Sequence, residues 1–220
     1  MTPTPKAKTL ETKQLVWTGV SLLLAVIASI ALVDRPLALL IQNQLGAVTQ
    51  IAGGVTIGLE WIFAFDLSKY LYALVLLLIG VAFHALQRSM LRARFFYFIG
   101  TTLLLSRVIS GTLKNVFERV RPLEWIKSRA PADFFVDGGS SFPSGHAAFY
   151  FGLFVPLALI YPRYKWLFLA FACLAALARV FDVDHYLSDI LASALVAWLL
   201  AFGLAKAFRI QPIARTAPSL

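Results

Sequence analysis

The chain has 220 residues, 60% hydrophobic and 14% charged, with a mean hydropathy of +0.78, whereas soluble domains carry roughly 45–50% apolar and about 25% charged residues. That composition excludes a water-soluble globule, and the single Cys173, expected to pack as a small hydrophobe, excludes a disulfide framework and a cysteine zinc cluster. The net charge of +9 is scattered between apolar runs, not condensed into a basic patch, so it argues against nucleic acid as a partner and for orientation in a bilayer.

Residues 1–14 form a polar tail carrying Lys6, Lys8 and Lys13, followed by an uncharged run from Leu15 to Val33 that is long enough to span. A signal peptide is the rival reading, but its apolar core usually runs about 7–15 residues. Further spans are expected at Tyr70–Leu86, Phe95–Leu113, His146–Tyr161, Trp166–Ala178 and Tyr186–Ala205, which makes six. Between the first two, residues 34–69 are apolar but interrupted by Gln42, Asn43, Gln44, Thr49, Gln50, Gly53 and Gly54. That pattern predicts interfacial or re-entrant helices beside the bundle, centred on Pro36–Asp66.

The fold class expected is therefore all-α: a polytopic six-transmembrane-helix bundle, with residues 15–208 as one membrane domain and 209–220 as a second cytoplasmic tail. With both termini inside, 11 of the 20 Lys and Arg residues fall on the cytoplasmic side in four separate clusters, and of the acids only Glu11 does. The positive-inside rule fits this orientation. The outer face then holds the loop 122–142, polar in its second half and able to act as a lid.

Three polar clusters fall at that outer face: Lys114 to Pro122, Pro143-Ser-Gly-His146, and Arg179 to Asp189. Ionisable groups at membrane depth must face a bundle interior or a wet cavity, so the three together describe an anion site. Lys114 and Arg121 are seven residues apart, about two helical turns, so both are expected on one face of a helix that Pro122 ends. Arg107 lies seven residues earlier on that face, where it can meet a headgroup or an acid, and Glu118 can compete for Lys114 as a helical ion pair.

In the second cluster Pro143 can start a helix whose first-turn amides, with Ser144 and Gly145, would face an oxyanion, while His146 can bind an anion or pass on a proton. In the third, His185 and Asp189 are one turn apart, so the carboxylate can orient the imidazole and leave its other nitrogen as a nucleophile. Arg179 then joins Lys114 and Arg121 against charge on a transferring phosphoryl group. Asp182 and Asp184 would oppose phosphate and are expected to turn away or pair with cations; His84 is read as structural. The pattern calls for no metal and no other cofactor.

These residues resemble the type 2 phosphatidic acid phosphatase superfamily, which also includes bacterial acid phosphatases and vanadium haloperoxidases. The signature Lys-x6-Arg-Pro, Pro-Ser-Gly-His, Ser-Arg-x5-His-x3-Asp is carried here by Lys114, Arg121 and Pro122, by Pro143 to His146, and by Arg179, His185 and Asp189. Ala178 stands where the family has serine. The resemblance implies a membrane phosphatase in which Lys114, Arg121, Ser144, Gly145 and Arg179 bind phosphate, His146 is the general acid, and His185 is the nucleophile oriented by Asp189.

The expected activity is metal-independent hydrolysis of a lipid phosphate or pyrophosphate through phosphohistidine. The substrate would be undecaprenyl pyrophosphate, phosphatidylglycerophosphate, phosphatidic acid or a lipid A phosphate. The expected setting is a bacterial inner membrane with the site at the outer face, and no obligate protein partner. A lipid phosphotransferase using the same intermediate and a catalytically silent lipid-phosphate binder are the rivals.

Overall fold

The computed structural model describes residues 12–63, 70–128, 135–211 and 213. Expectations for the tails at Lys6, Lys8, Glu11 and Arg215, for Asp66, and for part of the 122–142 loop lie outside these residues. The described residues are helical, with no strand among them. In chain order the helices are α1 (Thr12–Ala28), a π-helical turn (Ser29–Val33), α2 (Asp34–Gln44), α3 (Gly46–Ile62), α4 (Leu71–Ala85), α5 (Met90–Phe117), α6 (Pro122–Ser128), α7 (Gly145–Ile160), α8 (Lys165–Phe181) and α9 (Leu187–Ala207).

Among the described residues, four helical stretches are long and apolar enough to cross a membrane: Val16–Gln44, Met90–Ser128, Pro162–Phe181 and Leu187–Ala207. The expected spans in α4 and α7 are apolar but only 15 and 16 residues long, so the count of six is not reached on length. The first stretch also departs from expectation. Val33 does not end it, because the backbone continues through the π turn into α2, and α3 then packs against α8.

α5 is the central element, packed against α4, α7 and α9, while α7 lies between α5, α8 and α9, and α1 covers α9. The contact faces are built from small residues, among them Ala147, Ala172, Ala175, Ala176, Ala197 and Ala201, all buried. Small side chains let helices approach closely where lipid removes most of the hydrophobic drive for association. Large apolar side chains point outward instead, including Leu24, Leu32, Leu78, Trp166 and Leu174. Cys173 is on this outward surface too, not packed inside as the sequence predicts.

Two chain reversals shape the functional end. α5 stops at Phe117 because Glu118 takes a left-handed conformation (φ 42°), its N–H bonded to the Lys114 carbonyl. Lys114 and Arg121 are therefore not on one continuous helix, and Pro122 begins α6 instead of ending α5. α8 ends in a Schellman motif, with Val183 N–H to Val180 O at 3.0 Å and Asp184 N–H to Arg179 O at 3.2 Å. Val183, buried and β-branched, occupies the left-handed position (φ 59°) where glycine is usual, a conformation held only where the surroundings over-determine it.

Candidate active site

The C-terminal ends of α5 and α8 and the N-terminal ends of α7 and α9 meet at one end of the bundle. Two of these junctions are fastened by backbone groups. The Ser144 N–H donates to the Asp189 carbonyl at 3.1 Å, and the Ser193 hydroxyl lies 2.8 Å from the Ser144 carbonyl and 2.9 Å from that of Asp189. The turn after α8 likewise returns the His185 N–H to the Arg179 carbonyl at 3.1 Å. The third cluster thus carries its arginine and histidine on one closed backbone loop.

His185 is 2% exposed and Asp189 is fully buried, with Nδ1 of the ring 3.3 Å from Asp189 Oδ2. A carboxylate only accepts, so Nδ1 carries the hydrogen and Nε2 presents its lone pair. Burial pushes the His185 ring below its ordinary range, against the raising effect of the Asp189 hydrogen bond and charge. The ring is therefore kept neutral.

Asp189 is itself held by several donors. Its Oδ2 accepts from the Ser141 hydroxyl at 2.5 Å and from the Tyr186 N–H at 2.8 Å, and its Oδ1 accepts from Arg119 Nη1 at 2.6 Å. The Tyr186 contact is one half of a capping arrangement that starts α9. Arg119 also donates to Ser188 Oγ at 2.7 Å and, through Nη2, to Asp34 Oδ2 at 2.7 Å. Asp34 is tied to the start of the π turn through the Ser29 hydroxyl at 2.7 Å and to α9 through the Ser188 N–H at 3.0 Å.

Arg119, Asp34 and Ser141 were missed by the sequence reading. Arg119 was hidden among neighbouring cations and Ser141 in a polar loop, but Asp34 gave a signal, an acid at the end of an apolar run. The Arg119 guanidinium also lies 4.0 Å from the Tyr186 ring centroid and 4.8 Å from that of Phe135, which seals it from water.

The expected lid is a strap in its described second half. Val136, Asp137, Gly139 and Ser141 donate backbone hydrogen bonds to Phe117, Glu118, Glu118 and Arg119, at 2.8 to 3.1 Å. This contact admits no side chain at Gly139, where a Cβ would sit 2.2 Å from the Arg119 carbonyl oxygen. The strap delivers Ser141 to Asp189.

The cations gather on the Nε2 side of His185. Asp184 ion-pairs with both Arg121 and Arg179, and its carboxylate lies 3.7 Å from His185 Nε2. Burial opposes ionisation of Asp184, yet the adjoining His185, Arg179 and Arg121 outweigh it and hold the carboxyl at about 2. Asp182 is 3.7 Å from Arg179 Nη1, and burial raises its carboxyl above the usual range. Both acids thus pair with a cation, as the repulsion argument requires. An anionic group already occupies the position between two guanidiniums and beside a neutral imidazole.

Lys114 donates to the Ser140 carbonyl, not to Glu118, which caps α5 through its backbone. Arg107 donates to the Gly145 carbonyl; a Cβ on Gly145 would stand 3.0 Å from the Arg107 guanidinium. Ser144 is fully buried and caps α7, its hydroxyl accepting from the Ala147 N–H at 3.3 Å, so its hydroxyl and amide are both engaged within the protein. Pro143 precedes this cap and lies outside the helix. His146 enters from the first turn of α7, and its Nε2 is 2.9 Å from Glu60 Oε1. Glu60, at the end of α3, is a further contributor that the sequence reading did not single out.

The N-termini of α7 and α9 both open on this site, where helix dipoles favour anions. A neutral oriented imidazole, three nearby cations and a second imidazole suit the transfer of a phosphoryl group to nitrogen. No cluster of three or more His, Cys, Asp or Glu residues suited to a metal ion occurs among the described residues.

The PAP2 superfamily model matches residues 95–211, which include all three clusters. The chain is 32% identical over 183 residues to a protein named lipid A 1-phosphatase from Rhizobium etli, covering 75% of this chain and 73% of that one. It is 34% identical over 129 residues to a lipid A 1-phosphatase from Rhizobium johnstonii, covering 53% of this chain and 48% of the relative. No solved structure is a significant match.

Proposed function

The chain belongs to the PAP2 superfamily, and on that premise we propose that it is a membrane lipid phosphatase acting through a phosphohistidine on His185, with the 1-phosphate of lipid A as its first candidate substrate. The observation that carries the mechanism is the Asp184 carboxylate, clasped by Arg121 and Arg179 and 3.7 Å from His185 Nε2. A phosphoryl group takes that place when Asp184 yields it. The two guanidiniums, with Lys114 and the α7 N-terminus at Gly145, then bear the charge on its oxygens.

The Nε2 lone pair of His185 attacks phosphorus as the bond to the lipid oxygen breaks, and His146 gives that oxygen its proton. Asp189 stabilises the imidazolium character that develops on His185. Water then attacks the phosphorus–nitrogen bond, His146 takes the water's proton, and inorganic phosphate leaves. Every step uses groups of this chain and requires no metal.

The lipid character of the substrate is supported by the apolar helices around the site and by the likeness to the two lipid A 1-phosphatases. We place the site at the outer face of a bacterial membrane, with six spans and both ends of the chain cytoplasmic. α7 supports a recessed site: its 16 residues reach about 24 Å, against a hydrocarbon core of about 30 Å.

Purified protein supplied with lipid A, phosphatidic acid, phosphatidylglycerophosphate and undecaprenyl pyrophosphate, with chelator present, tests this reading. Release of phosphate by wild type and none by His185→Ala is expected, with radioactive phosphate trapped as an acid-labile, base-stable adduct. Loss of turnover with chelator would refute metal independence. Equal turnover by His185→Ala would refute the nucleophile, and release only when an acceptor lipid is added would make the protein a phosphotransferase.

A further inference from the structure

Glu60 lies on α3, outside the residues that the family model matches, yet its carboxylate reaches both the second and the third clusters. Oε1 is 2.9 Å from His146 Nε2 and 3.5 Å from Arg179 Nη1, and the glutamate side chain is 28% exposed. α3 packs on α8, which brings its C-terminal end to the site, while the next residue, Trp61, is 83% exposed on the outer surface. A largely buried carboxylate is costly unless it is engaged, and both its neighbours belong to the proposed machinery.

The chemistry of the leaving group gives that contact a task. An alkoxide leaves only if it receives a proton as the phosphorus–oxygen bond breaks, so His146 must stand charged and correctly turned when the lipid arrives. The groups around its ring are Arg107 from α5, Arg179 and Asp184 from the end of α8, and His185 from the turn before α9. Two of these are cations that repel an imidazolium. Glu60 sets a negative charge against the ring and engages one of its nitrogens.

We propose that Glu60 is a positioning residue for the leaving-group step, holding His146 by Nε2 so that the ring passes its proton to the lipid oxygen from Nδ1. This rests on the reading of His146 as the general acid. In the first step the Nδ1 proton moves to the departing oxygen and the ring becomes neutral, keeping its Nε2 hydrogen on Glu60. In the second, Nδ1 takes a proton from the attacking water, which restores the imidazolium.

The test compares two single-chain phosphate monoesters on the full-length protein in detergent: dodecyl phosphate, whose alkoxide needs a proton, and a dodecyl-bearing nitrophenyl phosphate, whose phenolate does not. Glu60→Gln is expected to lose roughly 10- to 100-fold in kcat on the alkyl ester and little on the aryl ester, and Glu60→Asp to recover part of the loss. Equal losses on both esters would overturn the proposal, since a merely structural role does not distinguish leaving groups. If Glu60→Gln does not fold, the same comparison is made with Glu60→Asp, and equal penalties again overturn it. His146→Ala serves as the control: if it shows no leaving-group dependence, the general-acid reading itself fails, a result distinct from a Glu60 that does not matter.

Discussion

Arg119 Nη1 and Asp189 Oδ1 lie 2.6 Å apart with neither side chain exposed to solvent, and the other arm of the same guanidinium holds Asp34 at 2.7 Å. One cation thus bridges two buried acidic side chains, from α2 and α9, at opposite ends of the sequence. Buried pairs gain little over apolar packing, but removing one member leaves a charge with no compensation. The arrangement accordingly ties the carboxylate behind the nucleophile to the first membrane helix.

Arg119→Ala is expected to destabilise the protein by about 3–5 kcal/mol, because two buried carboxylates lose their partner. Arg119→Lys keeps the charge but not the planar fork that reaches both acids, so it should fold and yet lose turnover. Thermal unfolding and phosphate release on the two variants check this. A fully active Arg119→Lys would show that point charge alone suffices.

Asp184→Asn frees Arg121 and Arg179 from an ionised competitor, and inorganic phosphate or vanadate is expected to inhibit the variant about 10-fold more tightly. The measurement is the inhibition constant at fixed pH. Weaker inhibition would mean that Asp184 helps to build the anion site. Since the carboxyl is held at about 2, its ion pairs are complete above the unfolded value of about 3.8 and are lost only as pH falls through about 2.

Activity should persist to lower pH than an ordinary imidazole allows. The nucleophile must be neutral, and burial pushes His185 below its usual 6.5, so the acid limb of kcat/KM should fall below about 6.5. Asp189→Asn removes a group that raises the His185 value, so it should lower the rate and move that limb further towards acid. A limb above 6.5 would contradict the burial argument.

Gly139 and Gly138 are neighbours with opposite expectations. A Cβ at Gly139 meets the Arg119 carbonyl at 2.2 Å, so Gly139→Ala should cost more than about 2 kcal/mol and loosen the strap. Gly138 has φ +73° and open space around it, so Gly138→Ala should cost only about 1 kcal/mol. Thermal unfolding of the pair separates steric exclusion from backbone preference.

Ser141→Ala removes one of the hydrogen bonds on Asp189, at a cost of about 1 kcal/mol in stability. Turnover should fall more than stability suggests, because the carboxylate that orients His185 loses a restraint. Measured kcat and unfolding midpoints on the same preparation test this. An unchanged kcat would confine Ser141 to folding.

What was legible in the sequence was the part written in fixed local spacing. The three clusters stand close to their final partners because helix caps and short turns bring Arg179 to His185 and His185 to Asp189. Residues from far along the chain were harder to see. Glu60, Asp34 and Ser141 reach the site only through the packing of α3 on α8, α1 on α9 and the strap on the end of α5. Lys114 and Arg121 misled in the other direction: their spacing imitates a helix, but Glu118 breaks it, and no residue type there announces a left-handed turn.

The buried positions of the first helical stretch are Val26, Ser29, Asp34, Ala38 and Ile41, and their steps are helical except for the five residues from Ser29 to Asp34. On a straight α-helix that step would swing Asp34 about 140° away from the buried stripe. The π turn absorbs the surplus residue, with the Asp34 N–H bonded to the Ser29 carbonyl. Deleting any one residue between Ile30 and Val33 would therefore turn the step from Ser29 to Asp34 into an ordinary four-residue helical step, about 40° from alignment, so the stripe would still face α9 on both sides with no π turn between them.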